Sequence, residues 1–407
     1  MALISSKIRL NTLHWSDIFF MILLLELFMG GGGRLLDIGT LSVRMYFFMA
    51  ATGLSLLYLI IRQHISLDIL VLLAVFTLLH GMAFVVAYAN NVPMERVLLD
   101  FKPLSFFYII LFFSYKIRRI EDVLWVVDLI RIAALLLAVI YLIVFVLLNL
   151  RLINFALFWH ATYASEEFFF RGQMAFLYKG FVYLVIGFFF LFRGKHWQYK
   201  AFAVLLALAT FLTFTRGFIV AWGVTYIIYL ALFGKNKILI LIFSLIIPIL
   251  VLLAWQYTDS LLGDKMYSDG VRFLQVYQVL DMITPYSVIL GHGLGVGIGI
   301  RDLHMEVAYL EIFHKQGIIG LAFWGGIFLV ITWKFAQAVQ KGNLELALPF
   351  FLAVVFMYVE SVTNPFLLSP LGMGLVLLAW VCLSVLSLKT FQETLYPLDH
   401  SRELSQA

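Results

Sequence analysis

Uninterrupted apolar runs of about 15–25 residues recur along this chain, and they constrain what it can fold into. A bilayer core about 30 Å thick is crossed by a helix of that length. The runs lack period-two alternation, so they do not read as strands of a barrel. Lipid offers the backbone no hydrogen-bond partner, which leaves helices as the way across. Composition agrees. Apolar residues make up 63% of the 407 and charged residues only 13%, against about 25% charged in a soluble domain. The mean hydropathy is +1.01. A soluble chain of this length could not hide so much apolar surface. The expected fold is all-α: a polytopic helical membrane protein of about twelve transmembrane helices, forming one integral membrane domain over residues 1–407. Spans are expected at 16–31, 43–61, 68–89, 101–115, 123–148, 174–192, 200–215, 217–233, 238–255, 316–333, 346–360 and 371–388.

Positive charge orients the bundle, because short cytoplasmic loops carry the excess of Lys and Arg. With Lys7 and Arg9 inside, alternate turns hold Arg62; Lys116, Arg118 and Arg119; Arg193, Lys195 and Lys200; Lys235 and Lys237; and Lys334 and Lys341, with Lys389 and Arg402 in the tail. An even span count then returns the C-terminus to the same side. The net charge of +5 is scattered through short loops without a long basic stretch, which speaks against a nucleic-acid partner. Cys382 is the one cysteine, so an intrachain disulfide is excluded. The first apolar run has no small-residue cleavage site and is followed by further spans, so no cleavable signal peptide is expected.

The opposite side is expected to carry the two longest loops, about 149–173 and 256–315. Long loops in a compact bundle are usually functional. The larger loop, 256–315, falls between the ninth and tenth spans. Within it, Tyr267–Met282 reads as a short amphipathic helix at the outer interface, with Asp269 as N-cap and Val271, Leu274, Val279 and Met282 on its apolar side. No internal repeat, soluble domain or low-complexity tail is visible.

On this side lie the residues that could carry chemistry. Arg216, in Thr215-Arg216-Gly217, stands at a tight turn between two spans. An arginine at membrane depth normally faces a polar cavity or a partner, and the bland alternative is an anchor snorkelling to the headgroups. Arg171 follows Glu166 and Glu167, either of which is an alternative partner for it. Arg272 sits on the amphipathic helix, where Asp269 or solvent is the alternative. Several guanidinium groups converging on one cavity would suit a diphosphate, since guanidinium is planar, always charged and binds bidentately. Arg131 and Asp128 read as a structural pair; Arg34 and Arg301 have weaker claims. The run from Gly291 to Gly299, with glycine at every second place, includes Gly293 and Gly295; N–H groups exposed there could help hold an anion. It is neither a Walker loop nor a dinucleotide fingerprint. His304 would share a helical face with Ala308 and Glu311 while Glu306 points elsewhere. It could serve as general base toward a sugar hydroxyl. His-Met-Glu lacks a second histidine at zinc-site spacing, so no metal and no cofactor is expected. Glu360 precedes the turn at Asn364-Pro365, where it either pairs with an arginine or acts in the site.

In order and spacing these pieces resemble the bacterial O-antigen polymerase/ligase superfamily. The matching elements are Thr215-Arg216-Gly217, Asp269 to Arg272, Gly291 to Gly295, His304 with Tyr309 and Glu311, Gly317 to Gly320, and Glu360 with Asn364-Pro365. The resemblance covers about residues 165–375. It implies a metal-independent glycosyltransferase of the bacterial inner membrane, acting on the periplasmic side. Donor and acceptor would be glycans on undecaprenyl diphosphate, delivered within membrane lipid, with a chain-length regulator and a flippase as further partners. His304, Arg216 and Arg272 would be catalytic. Arg171, Glu306, Tyr309, Glu360, Gly293 and Gly295 would bind substrate. His304-Met305-Glu306 departs from the His-Asn-Ser frequent in ligases, which favours a polymerase of O-antigen or capsule. The alternative within the superfamily is a ligase that transfers the glycan to lipid A–core. From another class, a polysaccharide or lipid transporter also fits twelve spans; the missing repeat symmetry and the large one-sided loop speak against it.

Overall fold

A computed structural model describes residues 14–35, 37–38, 41–62, 65–171, 175–234 and 265–388, without the side chains of residues 37, 38, 62, 171 and 265–269. The expected span at 238–255 lies outside these residues, as do Lys7, Arg9, Lys235, Lys237, Lys389 and Arg402.

Among the described residues, seven helical stretches are long and apolar enough to cross a membrane. They are Val43–Ile61, Leu67–Ala89, Met94–Lys116, Ile120–Asn149, Arg216–Phe233, Ala308–Gln340 and Pro370–Leu388. The helices run α1 (Trp15–Met29), α2 (Val43–Arg62), α3 (Leu67–Ala89), α4 (Met94–Leu104), α5 (Ile110–Lys116), α6 (Ile120–Asn149), α7 (Phe155–Tyr163), α8 (Val182–Leu191), α9 (Trp197–Leu212) and α10 (Arg216–Phe233). After these come α11 (Lys265–Asp281), α12 (Pro285–Leu290), α13 (Ala308–Gln340), α14 (Leu344–Glu360) and α15 (Pro370–Leu388). Each expected span within the described residues overlaps one of these helices or a joined pair. The span expected at 101–115 starts earlier, at Met94, because α4 and α5 are joined by a 3-10 stretch, Ser105–Ile109. Pro103, just before it, removes an N–H from the α-helical ladder.

The fold is not purely helical. Two short antiparallel pairs stand beside the bundle: β1 (Asp37–Ile38) with β2 (Leu41–Ser42), and β3 (Phe168–Arg171) with β4 (Ala175–Tyr178). The second pair corrects the expectation that a span begins at residue 174, since regular α-helix begins only at Val182. The cause is aromatic packing. Phe168, Phe176 and Tyr178 of the hairpin stack among Phe158 of α7, Tyr141 of α6 and Phe181. A pleated ribbon presents alternate residues to that cluster.

Helix α15 is the centre. It is apolar all round and almost wholly buried, as expected of a helix surrounded by others. It packs on α13 and α14, on α5 and on the 3-10 stretch before α5. Helix α3 is peripheral: Leu67, Val71, Leu78, Val85 and Tyr88 form an exposed stripe suited to lipid.

Helix α13 is broken. Gly317 has φ 63° and ψ −159° inside an otherwise helical segment, a region closed to residues with a Cβ. The break would leave carbonyls of the first half unpaired. The glycine run fills that need: His292 N–H donates to His314 O at 2.8 Å, and Gly293 N–H to Lys315 O at 3.0 Å.

Helix α11 covers the expected amphipathic segment but starts at Lys265, so Asp269 falls within it and is not its N-cap. Its buried side is Val271, Gln275 and Val279, while Leu274 and Met282, expected beside them, are exposed. The helix rests on the 298–306 segment. Gln278 Oε1 accepts from Ile300 N–H at 3.0 Å, and Gln275 Oε1 from Glu306 N–H at 3.0 Å.

Candidate active site

One cavity of about 1200 Å³ opens at the end of the bundle that carries α11, α12 and the β3–β4 hairpin. Its lining comes from the connections 30–42, 164–181, 213–215, 294–307 and 361–369, from helix ends beside them, and from Asp100, Lys102 and Pro103 of α4 with the 3-10 stretch that follows.

His304 lies on its wall. It stands before α13, outside regular secondary structure, and not on the helical face expected from its spacing to Ala308 and Glu311. It meets Glu311 nonetheless: Nδ1 is 3.2 Å from Glu311 Oε1 and 3.4 Å from Asp100 Oδ1. Behind it sits Lys315, whose Nζ donates to Glu311 Oε1 at 2.6 Å, to Asp100 Oδ1 at 2.7 Å and to Leu303 O at 2.7 Å. The remaining carboxylate oxygens are also used. Met305 N–H donates to Glu311 Oε2 at 2.8 Å, and Gly295 N–H to Asp100 Oδ2 at 2.8 Å. Each carboxylate therefore accepts at both of its oxygens, and one of those bonds comes from the Lys315 ammonium. Both are buried, whereas the His304 side chain is 48% exposed. Its Nδ1 edge therefore faces the protein and its Nε2 edge the cavity.

Asp100, His304 and Glu311 each offer a ligand atom, all within 4.8 Å of one another. The cation of this cluster is built in, however. Lys315 Nζ bridges the two carboxylates, at hydrogen-bond distance from both.

Beside the histidine, Glu306 holds two arginines. Arg272 Nε is 3.1 Å from Glu306 Oε2, and Arg301 Nη2 bonds Glu306 Oε1. Both arginines line the cavity. Arg272 comes from α11 and Arg301 from the segment below it, so the glutamines of α11 set the spacing of the pair. On the far wall the first connection wraps Glu167. Gly32 N–H donates to its Oε2 at 2.6 Å and Arg34 N–H to its Oε1 at 3.1 Å, while the Arg34 guanidinium bonds Glu166. Arg44, buried, grips both oxygens of Glu26 at 3.0 and 2.9 Å and donates to Gly31 O at 2.6 Å.

The cavity thus brings together Arg272, Glu306 and His304. Arg216 begins α10; Thr215 and Phe218 on either side of it are lining residues, but Arg216 is not. Only the backbone of Arg171 is described, at the end of β3. Four expected substrate contacts are engaged elsewhere. The N–H groups of Gly293 and Gly295 are donated to Lys315 O and Asp100, so they are not available to an anion. The Tyr309 hydroxyl donates to Tyr358 O at 2.7 Å. Glu360 is 1% exposed and accepts from Asn364 Nδ2 at 2.6 Å. It lies against the Arg216 turn, since a Cβ on Gly217 would come within 2.8 Å of its Oε1. The Asp128–Arg131 pair is present, at 3.3 Å.

Asp100, Lys315 and Arg44 are the members that sequence reasoning missed. A signal existed for each: an acid or base within an apolar run needs a partner. Asp100 and Lys315 are 215 residues apart and Arg44 and Glu26 18 apart, so spacing did not pair them; Glu311 and Lys315 stand at i,i+4 on α13, a spacing that could have.

No family model matches the chain. Among curated proteins, an O-antigen polymerase of Shigella flexneri is 29% identical over 398 residues, which cover 93% of this chain and 96% of that one. The similarity extends well beyond residues 165–375 and is to a polymerase, which bears out the resemblance read from the motifs.

Proposed function

We propose that this chain polymerises oligosaccharide repeat units carried on undecaprenyl diphosphate, as an O-antigen polymerase. The observation that carries the reading is the cavity in which a half-exposed histidine, backed by carboxylates, stands beside two arginines, in a chain similar along its length to such a polymerase. The acceptor sugar hydroxyl gives its proton to His304 Nε2 as its oxygen attacks the anomeric carbon of the donor glycan. The bond from that carbon to the diphosphate oxygen breaks, and the diphosphate leaves with the electron pair. Arg272 and Arg301 neutralise the charge that develops on it, which is where fixed cations accelerate such a transfer. Arg216 is assigned to the same diphosphate from its place between two lining residues. The step needs no metal, because the cation within the carboxylate cluster is Lys315.

In the bilayer the chain is read as twelve spans with both termini in the cytoplasm and the cavity facing the periplasm. Alternation supports this. The cavity is lined from one set of connections, and Lys116, Arg118, Arg193 and Lys341 lie on the other set, the arrangement expected of cytoplasmic loops.

The experiment is the glycan banding of a strain lacking the gene. Loss of long chains, with a single repeat retained on lipid A–core, supports polymerase. Loss of all glycan on core, with lipid-linked polymer accumulating, means ligase. Normal polymer that fails to reach the surface means transport.

A further inference from the structure

We infer that Asp100, Glu311 and Lys315 form a charge-balanced seat that orients His304 and tunes it as a base. This inference rests on the reading of His304 as the base and adds three positioning residues to it. An ionised carboxylate can only accept, so the close contact from Nδ1 to Glu311 Oε1 makes Nδ1 the protonated nitrogen. The free lone pair is then on Nε2, on the cavity side, where an acceptor hydroxyl can meet it. When Nε2 takes the proton, Nδ1 keeps its own.

The seat carries two carboxylates and one ammonium, a net charge of −1. An imidazolium brings the cluster to zero. Either carboxylate alone would leave a neutral seat, and both without Lys315 would leave a doubly charged one in a buried place. The parts converge from separate elements. Asp100 comes from α4, Glu311 and Lys315 from the first half of the broken α13, and Gly295 orients Asp100 through its N–H. Other charged groups on the cavity wall are engaged in pairs of their own: Arg272 and Arg301 with Glu306, Arg34 with Glu166, and Arg44 with Glu26. Glu167 accepts backbone N–H groups. Lys102 and Lys179 are further cations on that wall, and neither is hydrogen-bonded to the seat.

The test is the pH dependence of polymerisation by purified full-length protein in proteoliposomes, with lipid-linked repeat units as the substrate. Glu311→Gln removes a negative charge and should lower kcat about 100-fold or more with KM little changed. Its acid limb should move to lower pH by about one unit, because the imidazolium loses support. Lys315→Gln leaves the second carboxylate uncompensated and should move the limb the opposite way, to higher pH. Asp100→Asn should follow Glu311→Gln and takes its place if that variant does not fold. Opposite displacements support the seat; a simply damaged site would not produce them. If the limb stays where it is, or moves the same way in the carboxylate and lysine variants, while His304→Ala is inactive, the seat is refuted and the base stands. Full activity in His304→Ala would instead remove the base itself.

Discussion

Gly293 donates its N–H to the carbonyl of Lys315, at 3.0 Å. That single bond ties the glycine run to the break in α13 and, through Lys315, to the seat of His304. The carbonyl of Lys315 is free because Gly317 stops the helix two residues later. Its side chain points the other way, onto Asp100 and Glu311. Gly293 and Gly295 therefore direct their N–H groups inward, to Lys315 O and Asp100.

The break is the first place to test. Gly317→Ala puts a Cβ at φ 63° and within 2.3 Å of Ile289 O. A non-glycine residue there should cost about 1–3 kcal/mol, more if the backbone of α12 must move. Thermal unfolding of the detergent-solubilised protein should show a lower midpoint than Gly326→Ala, where a Cβ meets nothing within 4 Å.

Arg44 and Glu26 should act as a unit. Arg44→Ala leaves Glu26 partly buried without its cation, and such a loss costs about 3–5 kcal/mol. Arg44→Lys should recover little, because Nε, Nη1 and Nη2 each serve a different direction. The yield of monodisperse protein on size-exclusion chromatography reads this directly. Wild-type yield from Arg44→Ala would show the pair to be dispensable.

At the arginine clamp, Arg272→Ala is expected to reduce polymerisation about 100-fold or more, with insertion into the membrane unchanged. Arg272→Lys should remain well below wild type, since a point charge does not replace a planar fork. Full-length glycan on gels from either variant would move the diphosphate away from this clamp.

Chelation gives a fourth test. Purified protein treated with EDTA should keep its activity, as Lys315 Nζ stands between the carboxylates of Asp100 and Glu311. Activity lost to EDTA and restored by a divalent cation would identify Asp100, His304 and Glu311 as metal ligands.

Much of the bundle was legible because a bilayer leaves few choices. An apolar run long enough to cross must be a helix, so α2, α3, α6 and α15 could be read within a few residues of their ends. The hairpin was not legible as strand, because residues 168–170 and Ala175–Tyr178 are apolar runs that fit strand or helix alike, and the aromatic cluster around Tyr141 and Phe158 decides between them. His304 and Arg272 stood out as polar groups in outer loops. Asp100 did not, since nothing near it in sequence shows that Lys315, 215 residues away, lies against it.

From the sequence alone came the helical membrane class, the sidedness expected from its positive charge and the loop residues with chemistry to offer. Tertiary structure decided which of those residues meet. It engaged Gly293, Gly295 and Tyr309 in internal hydrogen bonds, placed Glu306 between two arginines, and put two carboxylates and an ammonium behind His304. The division has a physical reason. Crossing a membrane is a local requirement, satisfied run by run, whereas the partners of a buried charge are chosen by contacts between distant helices.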